Sequence, residues 1–431
     1  MVSGHGLIEG DPAPSWYAAT ATPAPVRPAL AGERRADVCV VGAGFTGLSA
    51  ALELASRGFD VVVLEARQTG FGASGRNGGQ VCTGFSCGTG PIAAARGEAV
   101  ADACWNLAAE ARDRIAGLVA RYNIDCDLRH GYLHAALSPR ALDGLRATAE
   151  DWTRRGEEGI EILSREALGA RLDSPAYHGA LRETRAGHLH PLNYCLGLAR
   201  AAEAEGATIH ENSPALRIEG GARPVVHTVT GSVRADHLVL AGNAYLGRLD
   251  RWLSRYLMPV GSYILATEPL GEARARALIR DGEAVADTRF IIDYFRLTAD
   301  TRLLFGGRAS YSTLEPADLF RFMRPRMLRV FPQLTDTRGD YCWGGHIGIT
   351  ASRMVQVGRR DGNIWFAHGF SGQGVALAGM CGKLLGEAIA GTAERHDLLA
   401  GFRHLPFPGG PLRTPLLVLA VLWYRLRDAL G

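Results

Sequence analysis

The sequence predicts an α/β protein of two domains, one built on a parallel sheet and the other on a mixed, largely antiparallel sheet, and three observations lead there. The apolar run Asp37-Val38-Cys39-Val40-Val41 leads through a glycine-rich turn into an Ala/Leu-rich helix over Leu48–Arg57, closed by Gly58, and then into a second apolar run, Val61–Leu64. Runs this short and this apolar read as buried parallel strands, and together they make one β-α-β unit of about thirty residues. Far along the chain the pattern returns: the apolar run Ile364–His368, a second glycine-rich turn, and a helix over Val375–Ile389. Between the two, Tyr263–Thr267, Phe290–Arg296 and Arg302–Gly306 have the strand-like composition of a more antiparallel sheet.

In chain order, residues 1–34 are rich in Ala and Pro and read as an irregular arm. Residues 35–90, 181–250 and 341–405 are assigned to the first domain, 91–180 and 251–340 to the second, and 406–431 to a C-terminal helix. Residues 90–180 read as mostly helical. Leu192–Glu205 is a helix ended by Gly206, and Val225–Thr230 with Val233–Ala241 reads as a hairpin around Gly231-Ser232. The tail holds ten apolar residues, Pro415–Tyr424, before Arg425 and Arg427. As a helix these rise only about 15 Å, half of a bilayer core, so no membrane span is expected. A helix packed on the body, a homo-oligomer contact and a membrane-surface contact all remain open for it.

Composition narrows the function. Apolar residues at 47% and charged residues at 21% fit a globular protein, and a net charge of +3 gives no support for a nucleic-acid partner. Lys383 is the single lysine among 47 basic residues, so amine chemistry from the protein is confined to one position. The eight cysteines form no C-x-x-C pair, and no metal site is expected. They read as reduced thiols of a cytoplasmic protein, and Met1–Thr20 has no signal-peptide pattern.

The motifs carry the chemistry. Gly42-Ala43-Gly44-Phe45-Thr46-Gly47 follows a strand and opens a helix, with Glu65 at the end of the next strand. In such a turn the first glycine permits the bend, the second lets backbone approach a pyrophosphate and the third lets the helix pack on the strand. The helix N-terminus, at Phe45 and Thr46, offers N–H groups and a positive dipole end to phosphates. Glu65, followed by Ala66 and Arg67, is an acceptor for a ribose 2′-hydroxyl. These features predict a dinucleotide.

The run Phe71-Gly72-Ala73-Ser74-Gly75-Arg76-Asn77-Gly78-Gly79-Gln80 is too rich in small and polar residues for a strand or a stable helix. It suits backbone passing along a ligand longer than the ribose end of a nucleotide, which favours FAD over NAD. The turn Gly369-Phe370-Ser371-Gly372-Gln373-Gly374 opens a second helix, whose dipole would favour negative charge near flavin N1 and O2. Ala215, Ala241 and Gly242 complete the candidate cofactor set.

At these segments the chain resembles the D-amino-acid oxidase superfamily of FAD-dependent oxidoreductases, most closely its γ-glutamylputrescine oxidoreductase branch. Further stretches carry the likeness: Gly187–Leu192, Gly197–Arg200, Leu265–Leu270, Tyr294–Arg296, Leu304–Arg308 and Trp343–Gly345. The resemblance spans roughly Ser15 to Leu430. It implies a Rossmann-like FAD-binding domain of the glutathione-reductase type, and a substrate domain covering the flavin. The implied reaction is hydride transfer from a carbon bonded to an amine nitrogen to flavin N5, hydrolysis of the resulting imine, and reoxidation by O₂ or another acceptor.

Departures from the family pattern matter too. Relatives of the sarcosine oxidase type carry a lysine and a histidine where Leu304 and Arg308 stand, so the oxygen-activating lysine is absent. Relatives with covalent flavin use a cysteine or a histidine in regions occupied here by Gly345 and by Arg76 or Asn77, so FAD is expected to be noncovalent. Many relatives have histidine at Gln373. The reaction needs a neutral amine, whose ordinary pKa is about 10.4 and falls in an apolar pocket or beside cations. The candidate catalytic residues are Arg308 and Tyr294 on the covering sheet, Tyr263 and Trp343 as walls, and His346 as base. Arg308 suits a carboxylated amine. An N-methyl amino acid, a D-amino acid or a biosynthetic intermediate is the alternative substrate. A flavoprotein binding subunit and an NAD-dependent dehydrogenase are the alternatives of other classes.

Overall fold

The computed structural model describes residues 14–310, 316 and 318–408, without the side chains of 308–310. The C-terminal helix expected over 406–431 lies, from residue 409 on, outside the described residues.

Two sheets organise the chain. The first has eight strands, and its parallel centre runs in the order Ile364–His368, Gly231–Leu240, Gly32–Val41, Val61–Leu64, Thr208–His210. Its strands are apolar because both faces are covered. Val38, Val40, Val61, Val63 and Val239 point to one core, with helices Phe45–Ala55, Glu98–Arg121, Pro191–Ala204 and Gly374–Ile389. Their neighbours Cys39, Val41, Val62, Leu64 and Leu238 point to the other, with Val226, Leu246 and Leu253.

The second sheet has nine strands, in the order Gly339–Ile349, Met258–Thr267, Leu303–Ser310, Tyr294–Leu297, Ala284–Asp287, Arg129–Ala136, Gly179–His188, Gln80–Val81, with Ile160–Ser164 also on Gly179–His188. It is antiparallel except where Ala284–Asp287 meets Arg129–Ala136. One face packs on helix Leu319–Val330 through Met323, Met327 and Val330. The mixed α/β architecture with two sheets is the one the sequence predicts.

Several elements differ from expectation. The stretch expected to be mostly helical holds strands Arg129–Ala136 and Ile160–Ser164, because pairing with Gly179–His188 outweighs weak local propensity. Residues 181–188 and 341–349, assigned from sequence to the first domain, pair in the second sheet as parts of Gly179–His188 and Gly339–Ile349. The hairpin turn sits at 228–230, since Gly231 and Ser232 pair with Gly32 and Glu33. The N-terminal arm contains the short helix Trp16–Ala19, whose Trp16 and Tyr17 are buried against Ile264, Leu304 and Trp343. All eight cysteines are free thiols. Among the described residues no helix is long and apolar enough to cross a membrane.

Candidate active site

The loops that follow four parallel strands open onto one cleft. This is where an open α/β sheet binds ligands, outside the carboxyl ends of its strands. Glu65 and Ala66 reach it from Val61–Leu64, Gly42 to Thr46 from Gly32–Val41, Ala241 and Gly242 from Gly231–Leu240, and Phe370 to Gly372 with Gly374 from Ile364–His368. Gly72, Ala73, Ser74, Asn77 and Ala215 also line it.

The first glycine turn is built on close contact. Gly42 has φ +107°, and a Cβ there would lie 3.0 Å from the Ala241 carbonyl oxygen. A Cβ on Gly47 would lie 1.9 Å from the Gly42 carbonyl oxygen, so the helix rests directly on the turn. Gly44 caps helix Phe45–Ala55 without a side chain of its own. The Phe45 N–H donates instead to Ser74 Oγ at 3.0 Å, across from the second glycine segment. The Glu65 carboxylate accepts the Ala43 N–H at 2.8 Å and the Arg67 N–H at 3.1 Å. Burial raises its pKa above the ordinary value, and those backbone N–H groups hold it back. Glu65 is thus fixed in orientation at the rim of the cleft.

The third segment mirrors the first. Gly369, at φ +77°, donates its N–H to Asn243 Oδ1 at 3.0 Å, and a Cβ there would come within 2.3 Å of Thr350 Cγ2. Helix Gly374–Ile389 starts at Gln373 with no side-chain cap, and Gln373 Oε1 is buried without a hydrogen-bond partner. A Cβ on Gly382 would lie 2.2 Å from the Thr46 carbonyl oxygen, so the two glycine-initiated helices pack side by side. Two helix N-termini whose own N-cap residues give no side-chain hydrogen bond, an orphaned acceptor and a cradle with no room for a Cβ fit a long phosphorylated cofactor.

The middle segment joins the cleft to the second sheet. Asn77 Oδ1 accepts the Gly79 N–H at 2.7 Å, and its Nδ2 donates to the Ala73 and Ser74 carbonyls. Arg76 donates to the Phe71 carbonyl at 2.7 Å and the Gly344 carbonyl at 3.3 Å. A Cβ on Gly78 would meet the Tyr294 ring at 2.6 Å, and one on Gly79 would meet the Leu189 carbonyl oxygen at 2.0 Å. Gln80 pairs with His188 in the second sheet and donates to the Val285 carbonyl. Arg67, Arg76, Gly78, Gly79 and Gln80 therefore stand behind the cleft lining, with Gly47, Gly369 and Gln373.

Of the catalytic candidates, Tyr294 and Trp343 face the middle segment. The Tyr294 ring lies between Gly78 and Gly306, and loss of water pushes its hydroxyl up to about 12, against the pull of a hydrogen bond to Ser262. Trp343 is fully buried and donates Nε1–H to the Arg76 carbonyl at 3.0 Å. The backbone N–H of His346 donates to the Tyr245 hydroxyl at 3.3 Å. Burial and then the charge of Arg76 lower the pKa of its ring. Tyr263 points the other way, into the core with Phe322 at 5.6 Å between ring centroids, where it cannot wall the same space. Arg308 falls in the backbone register between Gly307, opposite Tyr263, and Ala309, opposite Ser262, where the strand pairing shifts. Its side chain lies outside the described residues. Leu304 is buried beside Trp343, and Lys383 is paired with Glu387 at 2.6 Å on helix Gly374–Ile389.

Sequence reasoning missed the loop after Gly242. Asn243, Tyr245, Leu246, Arg248 and Leu249 all line the cleft, and the Tyr245 ring lies over Gly72. The available signal was position alone: these residues follow the carboxyl end of a parallel strand. Arg248 is the one cation of the described lining.

Comparison with known proteins agrees with this fold. A family model described as FAD dependent oxidoreductase, DAO, matches residues 37–388. The chain is 42% identical over 419 residues to γ-glutamylputrescine oxidoreductase of Escherichia coli K12, covering 97% of this chain and 98% of that one. It is 41% identical over 408 residues to probable oxidoreductase OrdL of Haemophilus influenzae, covering 93% and 94%. The crystal structure of glycine oxidase from Geobacillus kaustophilus has the same fold, with a TM-score of 0.70 at 22% identity, over 83% of this chain and 95% of that one.

Proposed function

Since the chain belongs to the DAO family of FAD-dependent oxidoreductases, we propose that it oxidises the C–N bond of an amino-acid-derived amine, with γ-glutamylputrescine or a close analogue as substrate. The observation that carries the reading is the 42% identity to γ-glutamylputrescine oxidoreductase across 97% of the chain. Bound FAD supplies the hydride-accepting chemistry.

The residues divide the remaining work. Gly42 to Gly47, Glu65 and the segment from Gly72 to Asn77 hold the cofactor, with Ala215, Ala241, Gly242 and Phe370 to Gly374. Asn243, Tyr245 and Arg248 join them. Tyr294, whose hydroxyl stays protonated through the physiological range, orients the substrate from the second sheet. His346 is the candidate base; burial and Arg76 lower its pKa and weaken it as a base, so the role requires the apolar site to lower the pKa of the bound amine as well. Arg308 binds the distal carboxylate. Leu304 in place of a lysine supports slow reoxidation by O₂ and an acceptor other than O₂. The free thiols support residence in the cytoplasm.

The test is anaerobic reduction of the purified yellow protein by a panel of γ-glutamylputrescine, putrescine, sarcosine, glycine and D-alanine, followed by addition of O₂ or a dye. Rapid bleaching by γ-glutamylputrescine is expected. Bleaching by sarcosine or D-alanine alone would transfer the function to those substrates, and bleaching by none would favour a binding subunit.

A further inference from the structure

Strand Tyr294–Leu297 sends two side chains, two residues apart, to one face. Both grip the glycine segment that follows the cleft-lining residue Asn77. Tyr294 covers Gly78. Arg296 donates Nε–H to the Gly78 carbonyl at 2.8 Å, Nη2–H to the Leu189 carbonyl at 3.0 Å and to the Tyr17 hydroxyl at 3.3 Å, and Nη1–H to the Leu297 carbonyl at 3.2 Å.

Arg296 is only 1% exposed, and every one of these partners is neutral. The other deeply buried arginines are compensated: Arg27 by Glu203 and Glu211, Arg112 by Glu157 and Glu183. Among the described residues no carboxylate pairs with Arg296. A buried guanidinium keeps its charge, and an unpaired charge in a low-dielectric interior acts over distance. His188 and His190 register it: both are pushed down to about 3, first by burial and then by Arg296.

We propose that Arg296 is a positioning residue with an electrostatic role: it clamps the Gly78 segment to the second sheet, and its unpaired charge favours the electron-rich reduced cofactor, raising the reduction potential of bound FAD. The inference rests on FAD occupying the cleft and not on the identity of the amine. A guanidinium serving as a clamp alone would stabilise the fold and leave the potential unmoved.

The experiment is dye-equilibrated reduction of the holoprotein, without substrate, for the natural chain, Arg296→Lys, Arg296→Met and Tyr17→Glu. Arg296→Met is expected to shift the reduction equilibrium toward oxidised flavin about tenfold, about 30 mV for a two-electron couple. Arg296→Lys restores most of that shift, because it keeps the charge. Tyr17→Glu leaves the clamp in place and supplies a counter-charge, and it is expected to move the potential the same way as Arg296→Met. Arg296→Met and Arg296→Lys proteins with the natural potential but a lowered melting temperature would overturn the proposal. Should the Arg296 variants fail to retain FAD, an unchanged potential in Tyr17→Glu overturns it alone.

Discussion

Ser74 Oγ accepts the N–H of Phe45 at 3.0 Å, so the second glycine segment caps the helix that the first one opens. The contact links two sequence motifs that lie 29 residues apart. Replacing a cap of this kind by alanine costs about 1 kcal/mol. Ser74→Ala is therefore expected to weaken FAD binding about fivefold, measured by titrating apoprotein with FAD. An affinity equal to the natural protein's would show that the contact is energetically idle.

Gly47→Ala should be far more damaging. Its new Cβ would stand 1.9 Å from the Gly42 carbonyl oxygen, and backbone cannot yield as a side-chain tip can. Loss of FAD, read as the ratio of visible to ultraviolet absorbance, is the expected outcome. Gly58→Ala is the control: at φ +87° it is strained by about 1 kcal/mol but meets nothing within 4 Å. It should lower stability modestly and keep the cofactor.

Acid should unfold the protein through its buried histidines. His188, His190 and His368 are pushed down to about 3 by burial, from an ordinary 6.5. Between those values the unfolded chain binds protons that the folded one refuses, so the stability they contribute is whole above pH 6.5 and lost as pH falls toward 3. Each costs on the order of 1.4 kcal/mol per pH unit within that window. Asp287, raised to about 6 by burial, acts in the opposite sense between pH 6 and 3.8 and offsets part of the loss. Urea midpoints are expected to drop steeply from pH 7 to 5; a flat profile would mean that these histidines are protonated in the fold.

No cysteine or histidine is found in the described lining of the cleft. Precipitation of the holoprotein with acid should leave all of the flavin in the supernatant. Colour retained in the pellet would identify a covalent bond that this lining does not provide.

Arg308→Ala is expected to raise KM for γ-glutamylputrescine at least about tenfold, with kcat changed much less, since a distal anchor binds ground state and transition state alike. Putrescine, which lacks the carboxylate, should show no such penalty. Equal effects on both amines would remove the anchor role.

The parallel sheet was legible in the sequence because its strands are apolar on both faces and its turns need glycine. Val61–Leu64 and Ile364–His368 coincide with the strands found. The second sheet was harder. Gly339–Ile349 carries glycines at 339, 345 and 348 where side chains from other segments pack, so its pairing is written in partners far along the chain. Tyr263 shows the same limit. Its aromatic character marks a strand, but which face it takes depends on register, and one residue of slip reverses it. Arg248 and Tyr245 carried no motif at all; only the strand order reveals that their loop borders the cleft.

The chain visits the first sheet, leaves for the second at Gln80–Val81, returns at Thr208–Leu240, leaves again at Met258–Ile349 and returns at Gln356–His368. The cofactor cleft therefore needs residues from both ends of the synthesis order. While the ribosome is still making the second sheet, Gly42 to Gly47 and Glu65 already exist, but the turn at Gly369 and its helix do not. Cofactor loading becomes a late event in the life of each molecule, after nearly the whole polypeptide has emerged, and a truncated product cannot retain flavin however well its first β-α-β unit folds.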